Sequence, residues 1–282
     1  MLRSAQARVL DVDDEDAVRD LLATDPVASC MLAGRVETHG TGTALGAPLW
    51  GLSSGRRLDA VCLAGANLIP IARPGWEREA AGAFAERARR AGRRCSTIVG
   101  PAAAVLPLWD LLFPYWGPAR EVRARQPLLA IEGPPTVDAD PRVRPVRPAE
   151  LDVLLPAAVA MFTEEVGVSP TRVDGGAAYR ARVADLVRAG HSLAWIQDGE
   201  VLFKADVGAV SRSACQLQGV WVSPRYRGQG IGQRGTAAVV EYARTTIAPV
   251  VSLYVNDYNT AARAAYERVG FTQVGTFSSV LF

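Results

Sequence analysis

Residues 220–232 read VWVSPRYRGQGIG, an apolar run that leads through a proline into three glycines at alternate positions. The apolar start predicts a strand, and the spacing of apolar residues after Ile231 predicts a helix. Glycines between a strand and a helix let the backbone come close to a ligand. The free amides and partial positive charge of the helix start then favour a phosphate or pyrophosphate. The stretch therefore predicts an anion site on the main chain, to which Arg227 adds a charge.

A second interpretation of the same stretch is a dinucleotide site. Gly230–Gly235 matches G-x-G-x-x-G, and Asp257 follows about 20 residues later. A dinucleotide-binding domain needs further strand–helix units after that acidic residue. Only 25 residues follow Asp257, so we expect a different kind of phosphate-binding fold. A plain loop at a helix start explains one of the glycines but not three in alternation.

Length and composition set broad limits on the function. The chain has 282 residues, 49% of them hydrophobic, and a formal net charge of +2. This predicts one large domain or two of ordinary size, and gives no electrostatic case for nucleic acid or an anionic membrane as a partner. The N-terminus lacks an apolar signal core, and the longest apolar run, residues 60–72, is too short to span a bilayer. We therefore expect a cytoplasmic protein.

Cysteine and histidine are sparse and scattered, so no metal-ligand spacing occurs and no metal is expected. Buried reduced thiols are the expected state of the cysteines, and neither histidine lies in a catalytic motif. The residues concerned are Cys30, Cys62, Cys95, Cys215, His39 and His191.

A proline-rich stretch, residues 131–148, divides the chain nearly in half. After it the sequence predicts a short strand, a helix broken by Pro156, a second helix, a hairpin at Asp198–Gly199, and then the strand and helix around the glycines. A strand, a helix that starts at Asn259, and a closing hairpin over residues 271–282 follow.

The first half repeats this order of strands and helices, which predicts two copies of one α/β fold. Its matching loop, residues 72–77 (ARPGWE), lacks the alternating glycines and carries Glu77 instead. The expected division is a first domain at 1–135, a linker at 136–148 and a second domain at 142–282.

The glycine stretch resembles motif A of the GNAT superfamily of N-acetyltransferases, with Arg227, Gly230 and Gly232 at its signature positions. A second motif of the family is matched downstream by Asn259, Ala262, Tyr266, Gly270 and Phe271. The resemblance covers about residues 142–282. The two-copy layout resembles tandem GNAT proteins of the mycothiol-synthase type, in which one half can be degenerate.

The resemblance implies an α/β fold of two GNAT-like domains in tandem, each a mixed, mostly antiparallel sheet flanked by helices, the first without a cofactor. Two neighbouring strands splay apart, and acetyl-CoA lies between them. Its pyrophosphate would lie on the Gly228–Gln233 amides and its pantetheine along Val220–Val222. The implied cofactor residues are Val220, Trp221, Val222, Arg227, Gly228, Gln229, Gly230, Ile231, Gly232, Gln233, Asn259 and Tyr266.

Tyr266 is the candidate general acid. It lies seven residues after Asn259, which is two helical turns, so both share a helix face about 10 Å apart. Asn259 could cap the helix and bond the pantetheine arm, and Tyr266 would then protonate the leaving thiolate, its role in the family. Without the motif match, a core tyrosine beneath an N-cap would explain the same pattern.

The general base is open. The position where many family members carry a glutamate is Gln216 here, which cannot act as a base. Glu164 and Glu165 lie where the family's substrate loop usually is, although a solvated helix end explains them equally. Lys204 and Asp206 alternate on one strand face, as acceptor contacts or as a structural ion pair. A water relay would also serve.

Two functions fit these patterns. The first is an acetyl-CoA-dependent N-acetyltransferase that acts on a primary amine, on a small molecule or a protein. The second is a module that senses acyl-CoA or binds a protein without turnover. Tyr266 and the glycine loop favour the enzyme, whereas the missing carboxylate at Gln216 favours the sensor.

Overall fold

The computed structural model of the chain describes residues 6–172 and 174–282. Residues 1–5 and Val173 lie outside the described residues. The prediction that the N-terminus has no signal core falls partly on residues 1–5. The chain divides into two compact units. The first comprises the described residues up to Leu129 together with Tyr254–Tyr258 and Gln273–Phe282, and the second comprises Ala130–Leu253 and Asn259–Thr272.

The elements up to residue 131 alternate as the sequence predicts. The strands are β1 (Arg8–Val9), β2 (Leu49–Ser54), β3 (Arg57–Ala64), β4 (Asn67–Ala72), β5 (Thr97–Pro101) and β6 (Glu121–Ile131). The helices are α1 (Glu15–Leu22), α2 (Cys30–His39), α3 (Glu77–Ala91) and α4 (Ala102–Trp116).

The rest of the chain shows the same alternation. Its strands are β7 (Arg144–Pro145), β8 (Ser192–Gln197), β9 (Glu200–Val210), β10 (Ala214–Val222), β11 (Val250–Tyr254) and β12 (Thr272–Leu281). Its helices are α5 (Leu151–Val166), α6 (Ala177–Arg188), α7 (Ile231–Thr246) and α8 (Thr260–Val269).

Both units build their sheets in the same order. In the first unit β1, β2, β3 and β4 are antiparallel neighbours and β5 joins β4 in parallel. In the second unit β7, β8, β9 and β10 are antiparallel neighbours and β11 joins β10 in parallel. In each, two helices precede the second strand, one helix joins the fourth strand to the fifth, and one follows the fifth. The predicted mixed, mostly antiparallel sheets are confirmed.

The C-terminal segment differs from the sequence prediction. The closing hairpin is wrong, because residues 272–281 form the single strand β12. This strand lies in the first unit from Gln273 onwards and pairs antiparallel with β5, from Phe277 opposite Pro101 to Leu281 opposite Thr97. Residues 277–281 are buried without interruption, so no exposed turn can form there. The second unit is consequently not the continuous stretch 142–282.

Pro156 does not break its helix, which corrects a second prediction. Helix α5 runs through it from Leu151 to Val166. Leu154, Ala157 and Met161 on one side of this helix are buried, and this packing offsets the backbone hydrogen bond that proline removes. Tertiary packing therefore outweighs the tendency of proline to interrupt a helix.

The predicted hairpin turn, helix cap, helix end and buried cysteines are confirmed. Asp198 and Gly199 turn the β8–β9 hairpin with φ values of 50° and 75°. Asn259 caps α8 by accepting a hydrogen bond from the Ala262 amide at 3.1 Å, and Gly270 ends that helix in the left-handed conformation. All four cysteines are buried. Within 6–172 and 174–282, no helix combines the length and the apolar character needed to cross a membrane, and no cluster of three metal-ligating side chains occurs.

Part of the segment predicted as a linker is bonded to helices of the second unit. The Thr136 amide donates to the Val269 carbonyl at the end of α8, at 2.9 Å. The Asp140 amide donates to the Arg234 carbonyl in the first turn of α7, at 3.1 Å. Residues 136–140 thus connect the ends of two helices.

Strands β10 and β11 part soon after they meet. Among the described residues, their parallel pairing runs from Ala214 opposite Val250 to Gln216 opposite Ser252. Strand β10 is buried through Leu217 and only half-buried from Gln218 to Val222. The two strands therefore part after Gln216, where the resemblance implies a cleft between them.

The cleft lies between helices on both sheet faces. Phe203 and Lys204 are consecutive in β9 and so point to opposite faces. Gly235 of α7 lies against Phe203, whereas Met161 of α5 lies beside Lys204 at the Gly219 backbone. Helices α5 and α7 therefore cover opposite faces of the second sheet.

Gly235 allows the close approach of α7. A Cβ atom there would lie 2.7–2.8 Å from three carbons of the Phe203 ring, which is fully buried. We expect Gly235→Ala to destabilise the protein by about 1–3 kcal/mol, because the ring cannot move aside. Gly82 is the control, since it is exposed within α3 and a Cβ atom there meets nothing within 4 Å.

Gly82→Ala should stabilise by about 0.5–1 kcal/mol, the usual gain for alanine inside a helix. Thermal denaturation of the two variants measures the difference. A Gly235→Ala protein that melts at or above the temperature of the Gly82→Ala protein would contradict the packing described.

Candidate active site

The glycine stretch forms the connection from β10 to α7. A 3-10 turn at Pro224–Tyr226 follows the strand, and Gly230 is the N-cap of α7. Gly228 and Gly230 have φ values of +78° and +77°, the left-handed region that glycine adopts without strain. Gly232 lies inside the helix, where a Cβ atom would make only an ordinary contact with Val222 at 3.5 Å. Conformation thus requires two of the three alternating glycines.

This connection is chemically suited to a diphosphate. The first-turn amides of α7 have no acceptor within the helix, and the 16-residue helix adds its dipole. Residues 227–229 are exposed, and a Cβ atom at Gly228 would meet nothing within 4 Å. The backbone therefore leaves space for an anion beside several amide donors.

Arg227 and Glu164 form a contact that the sequence did not predict. Arg227 pairs with Glu164 of α5 at 2.7 Å, and its Nε donates to the Val222 carbonyl at 3.1 Å. The other Glu164 oxygen accepts a hydrogen bond from the Trp221 indole at 3.1 Å. Both charged side chains are about half exposed, 51% and 46%, so water weakens the pair. An incoming phosphate would compete with Glu164 for Arg227.

Tyr266 lies in the last turns of α8, with 7% of its surface exposed and its ring edge-on to Phe271. Burial raises the pKa of the phenol above its ordinary value, and the charge of Glu165 raises it further. The phenol is therefore protonated at neutral pH and can donate a hydrogen bond, while its ring packs against Phe271.

The charge of Glu165 affects the pKa of two tyrosines. It raises the pKa of Tyr266. The pKa of Tyr179 is raised to about 12, mainly by burial and by the charge of Asp206, and the charge of Glu165 also contributes. Tyr179 also donates to the Ala158 carbonyl at 2.9 Å. The adjacent glutamates thus differ, because Glu164 contacts the loop whereas Glu165 lies within electrostatic range of the candidate acid.

Lys204 and Asp206 lie in the interior rather than at an accessible surface. Their side chains are paired at 2.6 Å, with residue exposures of 0% and 6%. Asp206 also accepts a hydrogen bond from the Ser192 hydroxyl at 2.6 Å. This is the structural ion pair that the sequence left as the alternative to an acceptor contact.

Gln216 lies at the point where β10 leaves β11. It is 4% exposed, and within the described part of the chain its side-chain nitrogen has no hydrogen-bond partner. An unpaired buried amide is costly, so a bound group or water near this nitrogen would be stabilised.

Gly219 is the residue that sequence reasoning missed. Its φ of +58° interrupts β10, and the pairing with β9 shifts register between Gln218 and Trp221. The signal was present, because a lone glycine within the strand pattern CQLQGVWV is typical of a β-bulge. The Glu164–Trp221 contact had no such signal, since the two residues are 57 positions apart.

Comparison with family models divides the chain in two. Residues 169–271 match the model described as the acetyltransferase (GNAT) family, and residues 47–154 match a domain of unknown function, DUF4081. Mycothiol acetyltransferase of Corynebacterium glutamicum is 39% identical over 87 residues. That match covers 28% of this chain and 30% of the relative, so it spans under a third of either protein.

Solved structures extend the likeness of fold to the whole chain. A Drosophila protein superposes with a TM-score of 0.67 at 12% identity, covering 99% of both chains. A GCN5-related N-acetyltransferase from Sphaerobacter thermophilus gives a TM-score of 0.58 at 16% identity, covering 100% of this chain and 96% of the other. The family match includes both the glycine loop and Tyr266. Residues 169–271 are therefore a domain of the GNAT acetyltransferase family.

Proposed function

We propose that the protein is an acetyl-CoA-dependent N-acetyltransferase that transfers an acetyl group to a primary amine by direct attack in a ternary complex. The observation that carries this proposal is the loop between β10 and α7, where two left-handed glycines precede a helix start beside a splayed strand. The family match supports acyl transfer in general. An acetyl-CoA-dependent reaction also fits the cytoplasmic location expected from the sequence.

Binding would use the main chain of the second unit. We assign the diphosphate to the amides of Gly228–Gln233 with Arg227, and the pantetheine arm to the half-buried strand edge at Val220–Val222 and to Asn259. Acetyl-CoA would supply an activated thioester carbonyl. The fit of the diphosphate to this loop rests on amide donors and on glycines that leave space for the anion.

Tyr266 is the proposed donor toward the leaving sulfur. A phenol and a thiol have ordinary pKa values of about 10 and 8.5. The pKa of Tyr266 is raised further, so full proton transfer to a free thiolate is uphill. The Tyr266 hydroxyl would act mainly by donating a hydrogen bond as charge forms on sulfur.

Glu165 and Glu164 are the proposed contacts for the amine, with a water relay as the other route for its proton. Of the two, Glu165 is the stronger candidate, because its charge reaches Tyr266. A carboxylate favours the ammonium form, so a direct base would need a raised pKa. The mycothiol acetyltransferase match covers too little of the chain to specify the acceptor.

We propose that the first unit is a degenerate copy without a cofactor. Gly75 precedes α3 with a φ of +87°, much as Gly230 precedes α7. The Gly75 amide, however, donates to the Glu77 carboxylate at 2.8 Å. A donor that a ligand would need is thus occupied by the protein's own negative charge.

One observation favours the second function, a sensor of acyl-CoA without turnover. Gln216 holds the strand position where the family often carries a carboxylate, and its amide cannot accept a proton from an amine. Release of free CoA in the presence of a panel of amines separates the two functions, since a sensor releases none.

Gly230→Val should abolish acetyl-CoA binding, because a β-branched residue at φ +77° disturbs the helix start that meets the diphosphate. Gly75→Val is the matched control, with the same backbone region before the corresponding helix of the first unit. Calorimetry should show wild-type affinity for the Gly75 variant. Equal affinities in the two variants would remove the loop from the binding site.

Tyr266→Phe should leave acetyl-CoA affinity unchanged and lower kcat by about 10²-fold or more, the usual loss for an acid catalyst. The ring packing against Phe271 is retained in this variant. Because its pKa is raised, the wild-type phenol should cause no loss of rate over about pH 6 to 9. Full turnover by the Phe variant would make Tyr266 a packing residue.

The adjacent glutamates test the acceptor contact. Glu165→Gln should raise the KM for the amine and lower kcat/KM by about tenfold or more, because an amine loses its charged partner. Glu164→Gln frees Arg227 and should tighten acetyl-CoA binding by at most about fivefold, the limit for an exposed ion pair. Steady-state rates with both substrates varied measure this. Wild-type kinetics in both variants would leave neither glutamate a role.

A further inference from the structure

Lys204 is the one lysine in the sequence, which contains thirty arginines. Its side chain is fully buried in β9, an unusual place for any charge. A chain that uses arginine everywhere else thus keeps a lysine at one interior position. The contacts of that position show what the ammonium group does.

The pair of Lys204 and Asp206 connects three strands. The Lys204 Nζ donates to Asp206 at 2.6 Å and to the Gly219 carbonyl of β10 at 3.2 Å. The second Asp206 oxygen accepts from Ser192 of β8 at 2.6 Å. Both carboxylate oxygens and two of the three ammonium protons therefore have partners, so the charge pair is well satisfied.

The Gly219 carbonyl belongs to a β-bulge. Gln218 pairs with Asp206 and Trp221 with Lys204, so Gly219 and Val220 together stand opposite a single residue of β9. A carbonyl displaced from the ladder needs another donor, and Lys204 provides it. A Cβ atom at Gly219 would lie 2.7 Å from Met161 Cε and 3.1 Å from Lys204 Nζ. Position 219 therefore has no room for a side chain, and the compact ammonium lies close to the backbone there.

Stability alone does not account for such a pair. A buried ion pair loses its hydration, and apolar residues of similar size often stabilise the fold as well or better. What apolar residues cannot do is donate a hydrogen bond to Gly219. The specific effect of Lys204 is therefore on the conformation of the bulge.

We propose that Lys204 is a positioning residue for the acetyl-CoA site. Together with Asp206 it fixes the bulge at Gly219 and Val220, and so sets the direction of the strand edge Val220–Val222 that is assigned above to the pantetheine arm. This inference rests on the proposed function. It differs from the acceptor contact expected from sequence, because Lys204 acts through the backbone and touches no substrate.

The test uses a double variant, Lys204→Met with Asp206→Leu, which replaces the pair by apolar side chains and leaves no lone buried charge. It should melt close to the wild type, yet bind acetyl-CoA about tenfold or more weakly, the usual cost of losing a hydrogen bond to a charged group. Ser192→Ala is the control, since it removes the Asp206 contact and leaves that between Lys204 and Gly219. It should lower the melting temperature without changing affinity.

A double variant that folds and binds acetyl-CoA as tightly as the wild type would overturn the inference. If the wild type itself binds no acetyl-CoA, the proposed function fails, and amide hydrogen exchange at residues 219–222 then decides whether Lys204 fixes the bulge. Faster exchange there in the double variant supports it, and unchanged exchange contradicts it.

A single lysine also allows a test in the unmutated protein. Lysine labelled with ¹⁵N at Nζ should give one ammonium signal, protected from exchange by burial. Acetyl-CoA should shift that signal if the bulge carries the arm of the ligand. A signal that stays fixed while acetyl-CoA saturates the protein would contradict the role of Lys204.

Discussion

The parting of β10 from β11 after Gln216 is the constraint on which the candidate site depends. Up to that residue the strands share hydrogen bonds and β10 is buried, and beyond it the edge of β10 is half-exposed. The separation leaves polar groups that a ligand can satisfy, including the unpaired Gln216 amide. The bulge at Gly219 follows within three residues, so the same strand that opens the cleft also redirects its edge.

The two units share a strand order but differ at the helix start after the fourth strand. Each has a parallel pair at its fifth strand, and each enters the following helix after a left-handed glycine. In the first unit the Glu77 carboxylate occupies an amide near the start of α3, whereas in the second the glycines leave the start of α7 open. A few residues at a helix start thus distinguish the two, while the sheets that position them keep the same order.

Much of this architecture can be predicted from the sequence, because local features such as the Asp198–Gly199 turn and the Asn259 cap are determined by neighbouring residues. The predictions that were wrong depend on contacts between residues far apart in the sequence. Pro156 remains helical because α5 packs on the sheet, and residues 272–281 form one strand because β5 supplies its partner. The Lys204–Gly219 and Glu164–Trp221 contacts join residues 15 and 57 positions apart, which no pattern within one element predicts.

The central claim is that acetyl-CoA lies on the second unit, along the end of β10 and the start of α7. Amide hydrogen exchange of the whole chain, with and without acetyl-CoA, tests it most directly. The account predicts slower exchange at residues 220–233 on addition of acetyl-CoA, with no change at residues 73–78 of the corresponding loop in the first unit. Protection at 73–78, or none at 220–233 under saturating acetyl-CoA, would contradict it.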